Sequence, residues 1–174
     1  MKTRSDEELM AEVALGNLEI ARVLFDRHHV HVYNFLFKMS KDKMLSEDIT
    51  QEVFYKLIKY RSSYNNGKFV SWMFTIARNS LSSHFKSVKG KYADMEHIAH
   101  KLAEDEAEKD EEFSHLQKAL DKLNPADREL LILNRFQEIK YNELAEIMDS
   151  TPGAVKTKLS RALKKLKDIY FEKV

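Results

Sequence analysis

Residues 141–167, YNELAEIMDSTPGAVKTKLSRALKKLK, decide the fold of this chain. They contain a short segment with helical apolar spacing, a break at Asp149-Ser150 and a longer segment with the same spacing. Thr151-Pro152 opens the longer segment with a helix-capping residue followed by proline at the first helical position. A short helix, a tight turn and a longer helix are the proportions of a helix-turn-helix. We therefore predict this motif at residues 141–167.

The longer helix has an apolar and a basic face. At 100° per residue, its apolar side chains fall within an arc of about 100°. They are Val155, Leu159, Ala162, Leu163 and Leu166. Cations cover the remainder of the helix, with Thr157 and Ser160 among them. Phosphates attract cations and base edges accept short polar side chains, so this face fits the major groove of DNA. The alternative is a lysine-rich face that only meets solvent.

Helical signals extend through the rest of the chain. Gly and Pro are scarce, four and two in 174 residues, and the apolar spacing is helical nearly everywhere. Ser5 with Glu8 forms a capping-box signature, and Gly16 can close that first helix. Ser46 is predicted to cap a later helix. The inward face of that helix is predicted to be Ile49, Val53, Leu57 and Tyr60. The predicted fold class is all-α.

The charges are strongly segregated, although the formal net charge is only +1. Residues 53–93 carry eight basic and no acidic side chains, and residues 151–174 carry seven basic and two acidic ones. Residues 94–112 reverse the sign, with nine acidic and two basic side chains. Two basic surfaces that bracket an acidic segment indicate a polyanion contacted at two places. Two solvated helical faces are the alternative.

The acid-free block contains a second candidate site. In a helix predicted from about Phe69 to Lys86, Trp72, Asn79 and Lys86 recur every seven residues and so share one face. An aromatic ring, an amide and a cation on one face provide the stacking, hydrogen bonds and charge that unpaired bases need. The preceding loop, SSYNNGK at residues 62–68, has turn chemistry and adds Tyr64 and Lys68. Alternatively, Trp72 is simply a core residue.

Residues 87–112 lose the apolar period and become charged, which is typical of a mobile linker. The chain is therefore predicted to form two small helical domains, at residues 1–90 and 113–174, joined by a flexible acidic linker at residues 91–112.

Composition excludes several classes of protein. The absence of Cys rules out disulfides and Cys-ligated metal sites. The longest uncharged stretch, residues 69–77, is too short for a bilayer, which takes about 20 residues, and the first ten residues lack a signal-peptide core. We therefore expect a cytoplasmic protein that is not a membrane protein. Glycine-rich phosphate loops and serine nucleophile elbows are absent, which leaves no candidate for catalysis.

Three segments, taken in order, resemble the extracytoplasmic-function (ECF) group of the bacterial sigma-70 family. SEDITQEVFYKLI at residues 46–58 resembles the helix that binds core RNA polymerase. FVSWMFTIARNSLSSHFK at residues 69–86 resembles the helix that melts and reads the −10 element. LNPADRELLILNRF at residues 123–136, followed by residues 141–167, resembles the domain that reads the −35 element. The resemblance covers nearly the whole chain and implies a sigma-2-like domain, a linker and a sigma-4-like domain.

Three positions depart from the family pattern and affect expected promoter preference, not the fold. Asp149 stands where the turn usually has Gly, but Asp tolerates the left-handed conformation. Ala154 replaces a common Thr and removes one possible phosphate contact. Ser83 stands where Asp or Asn is frequent.

The resemblance implies a sigma factor, not an enzyme, without a cofactor or metal. Its partners would be core RNA polymerase, double-stranded and melted promoter DNA, and an anti-sigma factor. The implied polymerase-binding residues are Asp48, Gln51, Glu52, Phe54 and Tyr55. The implied −10 residues are Ser62, Ser63, Tyr64, Lys68, Trp72, Arg78, Asn79 and Lys86. The implied −35 residues are Thr151, Gly153, Lys156, Thr157, Lys158, Arg161 and Lys165.

Two other classes of function remain as alternatives. A stand-alone helix-turn-helix transcriptional regulator explains residues 113–174 but not the acid-free block. A metalloenzyme would have to use groupings such as His97 and His100 beside Glu96, which no full ligand motif accompanies.

Overall fold

The computed structural model describes residues 3–88 and 111–172, and every regular element in these two ranges is helical. The first range contains α1 (Asp6–Ala14), α2 (Ala21–Ser40), α3 (Lys43–Lys59) and α4 (Phe69–Val88). The second contains α5 (Glu111–Lys122), α6 (Pro125–Leu131), α7 (Tyr141–Ile147) and α8 (Pro152–Tyr170). The predicted all-α class is confirmed. Most of the predicted acidic linker, with His97 and His100, lies outside the described residues.

Local capping chemistry sets several helix ends where the sequence predicts them. Ser5 Oγ accepts from the Glu8 N–H, and the Ser5 N–H donates back to the Glu8 carboxylate, so the capping box is present. Gly16 follows α1 with φ 108°, a left-handed conformation that favours glycine. Asn124 and Thr151 cap α6 and α8, each with proline in the first turn.

The start of α3 differs from the prediction. Asp42, not Ser46, is the cap, because Asp42 Oδ1 accepts from the Leu45 N–H at 3.1 Å. Ser46 is fully buried one turn inside the helix, where its hydroxyl donates to the Asp42 carbonyl at 2.6 Å. At the other end α3 stops at Lys59, so Tyr60 leaves the inward stripe and is 46% exposed. Ile49, Val53 and Leu57 are buried as predicted.

Each range of helices contributes its own set of buried side chains. In the N-terminal unit α2, α3 and α4 pack together, and α1 packs on α2 and α4. Its fully buried side chains include Met10, Phe35, Leu36, Val53, Phe69 and Met73. In the C-terminal unit α6 continues into a π-helical turn (Ile132–Phe136), and α8 packs on α5, α6 and α7. Its buried side chains include Leu120, Leu131, Leu133, Leu144, Val155 and Ala162.

The two units also contact each other directly. Side chains of α5 and α6 donate hydrogen bonds to the last turn of α2. Arg128 Nη1 of α6 donates to the Met39 carbonyl at 3.3 Å, and Gln117 Nε2 of α5 donates to the Lys38 carbonyl at 3.4 Å. Lys41 forms an ion pair with Asp121. In addition, α4 packs against α7. The helices predicted to read the two promoter elements therefore belong to units that touch in this arrangement.

Candidate polymerase and nucleic-acid interface

The helix-turn-helix is present with the predicted turn. Between α7 and α8, Asp149 takes a left-handed conformation with φ 51°, and the Ser150 N–H donates to the Ala145 carbonyl at 2.9 Å. Thr151 Oγ1 accepts from the Ala154 N–H at 3.2 Å and so fixes the start of α8. The aspartate that replaces the usual glycine is accommodated, as its short polar side chain allows.

One face of α8 is buried and the other presents cations to solvent. Val155, Leu159 and Ala162 are buried against the neighbouring helices. The exposed predicted −35 residues are Thr151, Gly153, Lys156, Thr157, Lys158, Arg161 and Lys165. A Cβ at Gly153 would meet no heavy atom within 4 Å, so open space adjoins this first turn. Lys165 differs from the other cations because its Nζ lies 3.1 Å from Asp127 Oδ2.

The predicted −10 face is built on an aromatic cluster at the start of α4. Trp72 is half-buried, with its ring centroid 5.2 Å from that of Tyr64 and 6.5 Å from that of Phe69. Trp72 therefore packs on the core and is still partly exposed. Asn79 and Lys86 are exposed further along the helix.

The loop before α4 is folded back on Tyr64. The Tyr64 hydroxyl donates to the Gly67 carbonyl at 2.6 Å, and Asn66 takes a left-handed conformation with φ 64°. Burial, with smaller contributions from the carboxylates of Glu7 and Asp6, raises the pKa of Tyr64 to about 12. Tyr64 is thus a buried residue whose hydroxyl group anchors the loop at Gly67. The other predicted loop residues, Ser62, Ser63 and Lys68, are exposed.

Arg78 is held by the other unit. Its Nε donates to Glu129 Oε1 of α6 at 2.5 Å. Burial raises the pKa of the Glu129 carboxyl, and the nearby Arg78 guanidinium opposes that shift. A cation predicted to contact DNA is therefore paired with an acid from the helix-turn-helix unit. The sequence gives no local signal for this pair, because 51 positions separate its members.

The predicted polymerase-binding residues fall into two groups. Asp48, Gln51, Glu52 and Tyr55 are exposed on α3. Phe54 is buried instead, with its ring edge-on to Phe25 at 5.0 Å between centroids. Phe54 therefore lies under the exposed α3 residues and packs against α2.

A groove of about 300 Å³ lies beside the exposed α3 residues. Its α2 side consists of Phe25, His29, Val30 and Tyr33, and its α3 side of Glu47, Thr50 and Gln51. Phe25 is 36% exposed, and its ring stacks on that of His29 with 4.6 Å between the centroids. The four α2 residues follow one another at intervals of four, one and three positions, and this helical spacing could have identified the outward face that they share.

Two other structural findings bear on function. Within residues 3–88 and 111–172, no three His, Asp or Glu side chains are grouped closely enough to hold a metal ion. Among the same residues, no helix is both long and apolar enough to cross a membrane.

Both units match known protein families. Residues 24–90 match the family Sigma-70 region 2, and residues 115–166 match the family Sigma-70, region 4. The RNA polymerase sigma factor CarQ of Myxococcus xanthus is 30% identical over 154 residues, which cover 86% of this chain and 88% of CarQ. The ECF RNA polymerase sigma factor SigM of Bacillus subtilis is 29% identical over 143 residues, which cover 80% of this chain and 88% of SigM.

Two solved structures share the fold. CnrH, solved in complex with the cytosolic domain of CnrY, gives a TM-score of 0.75 at 21% identity and covers 94% of this chain and 96% of its own. RpoE from Bartonella quintana, solved with the anti-sigma factor NepR, gives a TM-score of 0.66 at 19% identity. That match covers 85% of this chain and 94% of RpoE.

Proposed function

Because this chain belongs to the ECF group of the sigma-70 family of RNA polymerase sigma factors, we propose that its two units direct core polymerase to a promoter through separate surfaces. The N-terminal unit, residues 1–90, binds core polymerase and opens the −10 element. The C-terminal unit, residues 113–174, binds the −35 element, and residues 91–112 link the two. Polymerase performs the chemistry, so we assign no catalytic residue and no cofactor to this chain. It acts in the cytoplasm, with polymerase and DNA.

The observation that carries this proposal is the pair of exposed polar faces on α4 and α8. One face carries Trp72, Asn79 and Lys86 and suits unpaired bases; the other is the basic face of α8, which suits a duplex groove. A stand-alone helix-turn-helix regulator uses only the second face. It leaves the match of residues 24–90 to Sigma-70 region 2 without a function, and it is not favoured.

At the −35 element, α8 enters the major groove with its N-terminal half at the base edges. Thr151 and Gly153 present the start of the helix to a phosphate, since the first backbone N–H groups of a helix attract anions. Lys156, Thr157 and Arg161 face the bases, whereas Lys158 and Lys165 lie toward the backbone. Lys165 must exchange its contact with Asp127 for a phosphate.

At the −10 element, the exposed part of Trp72 offers a stacking surface for a base drawn out of the non-template strand. Extrusion of a base costs a few kcal/mol of unstacking energy, which stacking and base contacts must offset. Ser62, Ser63 and Lys68 border the captured base, and the amide of Asn79 hydrogen-bonds to a base edge. Lys86 lies further along α4 for the phosphate backbone.

Binding to both elements requires the two units to separate. The elements are about 25 base pairs apart, roughly 85 Å along B-form DNA, whereas α4 and α7 are in contact here. We propose that core polymerase favours the separated arrangement and releases Arg78 from Glu129 for the promoter backbone.

We further propose an anti-sigma factor as a regulatory partner. RpoE of Bartonella quintana, which shares the fold, was solved with the anti-sigma factor NepR. An inhibitor that covers the exposed α3 residues Asp48, Gln51 and Glu52 would compete with polymerase for this chain.

A selection from randomised DNA distinguishes a sigma factor from a stand-alone regulator. The chain, core polymerase and their mixture are each incubated with a library of duplexes, and the retained DNA is sequenced. A sigma factor retains a two-part motif only in the mixture. Retention of the same motif by the chain alone would support the regulator instead.

Within α8, Arg161→Ala should change sequence preference and Lys164→Ala should change overall affinity. Arg161 lies nearer the base edges, where a specific contact gives about 1–3 kcal/mol of discrimination. Lys164 is exposed on the following turn, where a phosphate contact adds affinity for every sequence. Binding of holoenzyme to a panel of −35 variants at several salt concentrations measures both effects. Lys164→Ala should lower the salt slope by roughly 0.9 and leave the ranking of promoters unchanged. Identical profiles for the two variants would contradict this division.

A further inference from the structure

An acidic side chain of α1 lies at the start of α4. The first turn of α4 contains no acidic residue, and Lys68, which precedes it, has no side-chain acceptor. The Phe69 N–H instead donates to Glu7 Oε1 at 3.4 Å, across 62 positions of sequence. Unsatisfied N–H groups give a helix N-terminus a partial positive charge, and a carboxylate there is stabilising. Glu7 thus provides α4 with the cap that its own sequence lacks.

The first turn of α1 is also attached to α2. Asp6 lies between two side chains of that helix: its Oδ2 is 2.9 Å from His28 Nε2, and its Oδ1 accepts from Arg27 Nη1 at 3.0 Å. Arg27 Nη1 further donates to the Arg4 carbonyl at 2.9 Å. The contact with His28 and the charge of Arg27 lower the pKa of the Asp6 carboxyl, which is therefore ionised at neutral pH. These contacts attach the start of α1, which carries Glu7, to α2.

The same junction supports the aromatic cluster under the −10 face. The His28 ring is 5.3 Å from the Phe69 ring, which in turn contacts Trp72. Tyr64 contacts Trp72 and holds the Gly67 carbonyl, and it lies within the electrostatic influence of Glu7 and Asp6. One network therefore joins α1, α2, the loop and the first turn of α4.

We propose that Glu7 is a positioning residue for −10 recognition. By capping α4, Glu7 fixes the helix start and so the orientation of Trp72 and the loop at residues 62–68. Glu7 itself need not touch DNA, because it is half-buried beneath that surface. The inference rests on the proposed function, since it assigns Glu7 to the step in which a base is captured.

The first part of the test uses the free chain. Trp72 is the sole tryptophan, so acrylamide quenching of its fluorescence reports on this site alone. Glu7→Ala removes both the acceptor and the charge, and we expect it to raise the quenching constant about twofold. Glu7→Gln keeps an oxygen that can accept from the Phe69 N–H, and its quenching should fall between those of Glu7→Ala and the wild type. Glu19→Ala is the matched control, because Glu19 is an exposed acid of the same unit that lies outside this network.

The second part uses holoenzyme on one promoter. Loss of a hydrogen bond to a charged group is worth about a tenfold change or more. We therefore expect Glu7→Ala to lower the fraction of open complexes about tenfold, and Glu7→Gln about threefold. Affinity for core polymerase and binding to the −35 element should remain within twofold of wild type. Glu19→Ala should match wild type in every readout.

Two results would overturn the proposal. One is that Glu7→Ala behaves as Glu19→Ala in both Trp72 quenching and open-complex formation. The other is that core affinity falls in the same proportion as open complexes, because Glu7 would then only stabilise the whole unit. If Glu7→Ala does not fold, Glu7→Gln decides by the same criteria. A wild-type holoenzyme that forms no open complex would contradict the proposed function itself, and that result is distinct from both.

Discussion

Reversing the charges of Asp48 and Glu52 together should lower the affinity of the chain for core polymerase by at least about 100-fold. Both side chains are exposed on α3, beside the groove that contains Phe25 and His29. Like charges brought together across an interface cost several kcal/mol, so two lysines in place of two acids should prevent association. The measurement is equilibrium binding of the labelled Asp48→Lys/Glu52→Lys variant to purified core.

The loss of binding should not come from unfolding. Among the described residues, the ion pair given up is Glu52 with Lys56 at 2.9 Å, which is partly exposed, lies within one helix and is worth about 0.3–0.5 kcal/mol. The matched control reverses Asp168, exposed in the last turn of α8, and Glu172, exposed just after it, and so changes the net charge equally. Unchanged core affinity of Asp48→Lys/Glu52→Lys, with helical circular dichroism intact, would remove α3 from the polymerase interface.

Asn79→Ala should reduce open-complex formation by about 10- to 100-fold and leave the initial recruitment of holoenzyme within about twofold. Asn79 is exposed on the face of α4 that also carries Trp72 and Lys86. An amide can pair with a base edge, and such a contact is worth about 1–3 kcal/mol. The contact forms only after a base leaves the stack, so its loss should affect melting and not the closed complex.

Permanganate reactivity of the melted region measures the open complex, and binding at low temperature measures recruitment. Asn17→Ala provides the control: it is the same substitution in the same unit, at an exposed position whose side chain makes no capping hydrogen bond. Permanganate signals of wild-type strength from Asn79→Ala would show that Asn79 does not take part in opening.

Much of the fold was predictable because its determinants are local. The Ser5–Glu8 box, the two Asn/Thr-Pro starts and the apolar stripe of α8 involve residues within a few positions of one another. The start of α3 was not predictable in the same way. Asp42 and Ser46 are four positions apart, and both residue types are common helix caps. Packing decides between them, because a helix that starts at Asp42 allows Ser46 to be buried. The sequence also left open whether Trp72 is a core residue or a surface residue. Tertiary contacts decide this as well, because they determine how much of Trp72 is exposed.

The helix faces of the candidate site were predictable from the sequence, but the long-range contacts between its residues were not. Helical spacing put Trp72, Asn79 and Lys86 on one face of α4, and the basic arc of α8 needed no tertiary information. The long-range pairs Arg78–Glu129 and Glu7–Phe69 have no signal in a single sequence, because any of many acids could have met either group. The first pair engages Arg78, and the second attaches α1 to the start of α4.

Transcription from a randomised promoter library, with purified core polymerase in the presence and absence of the chain, tests the central claim most directly. A sigma factor should yield transcripts only when the chain is added, from templates that share a −35 and a −10 motif. The Asp48→Lys/Glu52→Lys variant should abolish these transcripts. Transcripts of the same origin and abundance from core polymerase alone and from the mixture would contradict the claim that this chain directs transcription initiation.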